Sequence, residues 1–124
     1  MKKVVVFGMF LLAISLVQAN PAAAGRSEAS IEGPTEAAKG SEVTLRIMAS
    51  HNANSSSHYT EWLKVTANNK EVARWNYTKE NRPEGAVFTK DVKIKVTEDT
   101  EIVAEANCNL HGSKGPVKHK ITVK

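Results

Sequence analysis

Short runs in which apolar and polar residues alternate constrain the fold of this chain more than any other feature. Val43, Leu45 and Ile47 alternate with Thr44 and Arg46, the period of a strand with one buried face. Leu63 and Val65 alternate with Trp62, Lys64 and Thr66. Asn68-Asn69 then makes a turn and Val72 to Tyr77 returns, which reads as a hairpin. In the run Val87 to Val96, Val92, Ile94 and Val96 share a face. Ile102, Ala104 and Ala106 share another with Val103 opposite, and Val117, Ile121 and Val123 close the chain. Asn81 to Gly85, Thr97 to Thr100 and Gly112 to Pro116 separate these runs with turn residues. No window of about eleven residues sustains helical periodicity. The spacing predicts an all-β chain folded as a small sandwich, with residues 20–30, rich in Ala, Ser and Gly, as a flexible lead-in.

The 124 residues suffice for one core and not for two. The N-terminus reads as an address. Lys2 and Lys3 precede Val4 to Val17, a run with no charge and one polar residue, Ser15. This is a secretory signal peptide pattern, shorter than the ~20 residues of a membrane-spanning helix. Cleavage is expected after Ala19 or Ala24, which makes residues 1–24 a leader and the product periplasmic, with no membrane attachment. The formal charge of +4 then falls to +2, because two of the 17 basic residues leave and none of the 13 acids does. No basic run interleaved with aromatics remains, which argues against a nucleic-acid partner.

Chemistry concentrates in two segments between strands. One runs from His51 to His58; the other is Cys108-Asn109-Leu110-His111-Gly112. A Cys-x-x-His step lets one tight turn present a thiolate and an imidazole to the same point, and Gly112 permits the sharp backbone turn behind them. The sole cysteine excludes an internal disulfide and a multi-cysteine zinc cluster. An unpaired thiol in an oxidising compartment is a liability unless it is buried, pairs between chains or binds metal. Imidazoles with one thiolate suit iron, copper or zinc. Met48 is the only methionine beyond the leader, which weakens a copper site with an axial thioether.

His58-Tyr59-Thr60-Glu61-Trp62, Asn107-Cys108-Asn109-Leu110-His111-Gly112 and Glu84-Gly85-Ala86-Val87-Phe88-Thr89 resemble the iron-binding domain of desulfoferrodoxin, neelaredoxin and superoxide reductase. The resemblance covers residues 27–124 and includes Ile31-Glu32-Gly33-Pro34 and Lys120-Ile121-Thr122-Val123. It implies an immunoglobulin-like β-sandwich holding one non-haem iron. Four equatorial histidines and an axial cysteine hold that iron in the family, leaving one position open for superoxide. On this chain the resemblance makes His51, His58 and His111 the imidazole ligands and Cys108 the axial thiolate.

Two departures qualify what the resemblance implies. The His51–His58 loop is one residue longer than is usual, with Asn52 where a proline commonly stands. The family's N-terminal Glu-Lys-His, source of the fourth histidine, aligns with Gly25-Arg26-Ser27, and Ser27 offers no imidazole. Water, a terminal amine or a carboxylate such as Glu28 are candidates to fill the gap. His119 has the parity of Ile121 and Val123 and reads as a partly buried strand residue. The expected function is one-electron reduction of superoxide, or of a related small oxidant, to peroxide, with the electron donor unassigned. The alternatives are a non-catalytic metal-binding or electron-transfer module holding iron, copper or zinc, and a metal-free adhesion sandwich.

Overall fold

The computed structural model describes residues 25–124, so the expected leader over residues 1–24 lies outside the described residues. The strands are β1 (Glu28–Glu32), β2 (Glu36–Ala37), β3 (Ser41–Ser50), β4 (Thr60–Ala67), β5 (Lys70–Asn76), β6 (Val87–Val96), β7 (Thr100–Cys108) and β8 (Val117–Val123). They form two sheets, one ordered β1-β3-β6 and the other β2-β8-β7-β4-β5. Every pairing is antiparallel except β2 with β8. The protein is an immunoglobulin-like β-sandwich.

The alternation read from the sequence puts the core between the sheets. Leu45, Ile47 and Ala49 of β3 face Leu63 and Val65 of β4, Ile102, Ala104 and Ala106 of β7, and Ile121 of β8, all fully buried. Their polar neighbours Glu42, Thr44 and Arg46 lie on the outer surface. Asn68 and Asn69 turn the β4–β5 hairpin with φ of 48° and 69°. Two consecutive left-handed residues suit the right-handed twist of the paired strands, and asparagine tolerates that region. Exposed Lys93 and Lys95 on outer strand β6, and Lys70 and Arg74 on outer strand β5, set charge along two open edges.

The flexible lead-in expected over residues 20–30 is corrected where it is described. Residues 28–30 belong to β1, which pairs with β3 from Glu28↔Ser50 to Glu32↔Arg46. Ser27 is wholly buried. Only Ala29 and Ile31 face the core from this segment, too few for a periodic signal; its order comes from pairing with a long neighbouring strand.

Strand polarity gathers particular strand ends together. Ser50 pairs with both Glu28 and Val87, while Thr60 pairs with Cys108. The segments after β3, before β4 and after β7 therefore emerge at one end of the sandwich. Nearby, the Lys90 ammonium donates to the Glu84 carboxylate at 3.0 Å. That hydrogen bond holds Glu84 below its ordinary range and Lys90 above its own. A depressed carboxylate contributes stability above its unfolded value of 4.5 and loses it as pH falls. The raised ammonium contributes below 10.5 and loses its share as pH rises. The carboxylate side is 60% exposed, so solvent screening keeps the pair below about 1 kcal/mol. The stability difference between wild type and Glu84→Gln, read from urea midpoints, is expected to be that small at pH 7 and to close in strong acid.

Candidate metal centre

Each candidate ligand sits where a strand ends. His51 follows β3, and its amide donates to the Ala86 carbonyl at 2.9 Å, tying it to the entry of β6. His58 closes a tight turn in which the Ser55 and His58 amides each donate to the other's carbonyl, at 2.8 and 3.1 Å. Cys108 is the last residue of β7 and is 1% exposed. The chain reverses between Cys108 and Gly112, whose amides donate to each other's carbonyls at 2.8 and 3.1 Å. Gly112 has φ of +86°, which a side chain would strain.

These turns bring the chemistry together. His51, His58 and Cys108 place one ligand atom each within 4.8 Å of one another. His111 lies outside that triplet and is exposed, yet its Nδ1 is 3.2 Å from His58 Nε2. The rings stand edge to face, at 88° for His51 with His58 and 75° for His58 with His111. His51 Nδ1 lies 2.8 Å from the Ala53 carbonyl oxygen. A neutral imidazole carries one ring hydrogen, so the tautomer that donates to Ala53 offers its Nε2 lone pair to a metal. At the sulfur, the amides of Leu110 and His111 lie 3.4 and 3.5 Å from Cys108 Sγ and donate to it. Those two amides are donors to a sulfur that is almost wholly buried. Converging imidazole nitrogens beside one buried sulfur match what iron, copper or zinc accepts.

Asn109 holds the two segments in register, and its motif had given no hint of the role. Its Oδ1 accepts from the Tyr59 amide at 3.0 Å and its Nδ2 donates to the Ser57 carbonyl at 3.1 Å. It thereby brackets His58. Replacing Asn109 with alanine deletes both bonds, each worth about 1 kcal/mol net. Metal affinity is expected to fall about 10–100-fold, as when partners that orient a ligand are removed. Chelator competition measures it.

Ser27, Glu28 and His119 each have another partner. The Ser27 hydroxyl is 2.7 Å from Thr60 Oγ1 in the interior. Glu28 accepts from Lys114 Nζ at 3.4 Å. His119 is half-buried, as its parity predicts, and its Nε2 lies 2.8 Å from the Pro34 carbonyl oxygen. It pairs with Ile102, six residues down β7 from Cys108, about 20 Å at strand rise. The Gly25 carbonyl oxygen, in contrast, sits 3.0 Å from His51 Nε2 and 3.2 Å from His111 Nδ1. Main-chain atoms have no signature in a sequence, so this approach was not legible there.

Solved structures share this architecture. A superoxide reductase (neelaredoxin) from Ignicoccus hospitalis is 17% identical, with a TM-score of 0.62 over 85% of this chain and 88% of that one. The reduced neelaredoxin of Archaeoglobus fulgidus is 16% identical, with a TM-score of 0.53 over 77% and 89%. The sulfur carrier protein SoxY from Chlorobium limicola f. thiosulfatophilum is 12% identical, with a TM-score of 0.55 over 78% and 82%. At such identities the likeness concerns the fold alone. No curated protein matches the chain by sequence. The family model for desulfoferrodoxin matches residues 27–113, spanning both ligand-bearing segments and more than half of the sequence. The chain therefore belongs to the desulfoferrodoxin family.

Proposed function

We propose that the protein is an exported, periplasmic mononuclear non-haem iron protein that reduces superoxide. The cluster of His51, His58 and Cys108 ligand atoms within 4.8 Å of one another, with His111 Nδ1 3.2 Å from His58 Nε2, carries this reading, and the family match supports it. His51, His58, His111 and Cys108 are the proposed ligands. When bound, ferrous iron supplies one electron, so that superoxide and two protons give hydrogen peroxide and ferric iron. The protein's part is to hold the donors and admit an anion. Cys108 gives a strong anionic donor from the buried side, and its amide partners fix its position. Exposed His111 and half-buried His58 leave the histidine side of the cluster accessible to a small solute. Exposed Arg26 adds positive charge near this mouth, which favours approach of an anion.

The test is iron analysis followed by pulse radiolysis. The expected outcome is one iron per chain and second-order oxidation of the ferrous form by superoxide. A stoichiometric ferrous protein that superoxide leaves unchanged would remove the catalytic reading and leave a metal-binding or electron-transfer module. Engagement of Ser27 with Thr60 favours keeping that second reading, since the fourth imidazole of the family has no counterpart there.

A further inference from the structure

We infer that the main-chain carbonyl oxygen of Gly25 is a further donor of this centre beside the three imidazoles, in place of the family's missing histidine. The inference rests on the iron reading above and concerns an atom that no side-chain motif could mark.

Three donor separations carry it. His58 Nε2 to His111 Nδ1 is 3.2 Å, His111 Nδ1 to Gly25 O is 3.2 Å, and Gly25 O to His51 Nε2 is 3.0 Å. Two donors about 2.1 Å from one ion and at right angles to each other are about 3.0 Å apart. The four atoms therefore run in the order His58, His111, Gly25, His51 at the spacing of neighbouring ligands. His51 Nδ1 lies 2.8 Å from the Ala53 carbonyl oxygen, and the tautomer that donates there leaves a lone pair on Nε2. In that tautomer a cation between Nε2 and the Gly25 oxygen takes the place of the hydrogen bond that the other tautomer makes.

The backbone is held for this approach. Ser27 donates its amide to Gly112 O at 3.1 Å and accepts from the Lys114 amide at 2.9 Å. The buried Ser27–Thr60 hydroxyl contact fixes the same segment from below. Two residues earlier the approach suits glycine: a Cβ on residue 25 would lie 2.5 Å from His111 Nδ1 and 2.9 Å from two carbons of that ring, so the ring would have to shift. Both expected cleavage points, after Ala19 and after Ala24, leave Gly25 in the chain. Ser27, Glu28 and His119 have other partners, as described above.

The test uses protein produced with glycine labelled with carbon-13 at the carbonyl, loaded with iron alone and oxidised to the ferric form. Electron–nuclear double resonance is expected to show a carbon-13 coupling absent from unlabelled protein. Gly25→Ala made in the same labelled medium carries no label at residue 25 while its other glycines do, so the coupling should vanish. Its iron affinity is expected to fall about tenfold or more. X-ray absorption of the unaltered protein, which needs no variant to fold, is expected to fit three imidazoles, one sulfur and an additional oxygen. Iron bound with its sulfur-to-iron absorption band but without a carbon-13 coupling, or with a fourth imidazole, overturns the Gly25 assignment and spares the iron reading. Folded protein that takes up no iron overturns both.

Discussion

Cys108→Ala is expected to leave the sandwich folded and to lower iron affinity by on the order of 100-fold or more, beyond the loss from removing a mere orienting partner. The residue is a small buried side chain at a strand end, so its truncation costs folding about 1 kcal/mol. The metal loses its only anionic donor among the proposed ligands, and the Leu110 and His111 amides lose the sulfur they face. Iron per chain after gel filtration, the sulfur-to-iron absorption band and far-ultraviolet circular dichroism read the three effects separately. A variant that keeps full iron and the band would exclude Cys108 as a ligand.

The second large effect is on stability. Ile102 is fully buried in β7, which lies between β8 and β4 in the larger sheet. Ile102→Ala is expected to destabilise the protein by about 2–5 kcal/mol, the lost transfer energy plus the cavity left behind. Ile102→Val should cost only about 0.5–1.5 kcal/mol. Stabilities of such domains run to about 5–15 kcal/mol, so the alanine variant removes a large share. Urea unfolding of the metal-free chains checks the ratio; equal midpoints for the two variants would show that β7 is not packed as described.

What the sequence disclosed follows from how far each signal extends. β3, β4, β6 and β7 bury alternate residues over long runs, and Val43 to Ile47 or Ile102 to Ala106 display that period openly. β2 has two residues and β1 contributes two apolar side chains to the core; neither carries a pattern of its own. Both are fixed by neighbours distant in sequence. The same division holds at the site. His58, Cys108 and His111 are visible because imidazole and thiol are rare and chemically distinct. Asn109, Ser27 and Gly25 matter through hydrogen bonds or backbone position, which depend on what the fold brings alongside.

The parallel bridge between Ser27 and Ser113 has a consequence for when the site comes into being. Closing a loop that spans almost the whole domain costs more entropy than any hairpin in it, and contacts of high sequence separation slow folding. The β4–β5 hairpin needs only a two-residue turn, whereas the bridge needs the first and last thirds of the domain already in place. The Gly25 oxygen reaches the histidines only after that closure. A chain ending before Ser113 keeps the strand ends that carry His51, His58 and Cys108 but lacks the bridge that holds the Gly25 segment beside them.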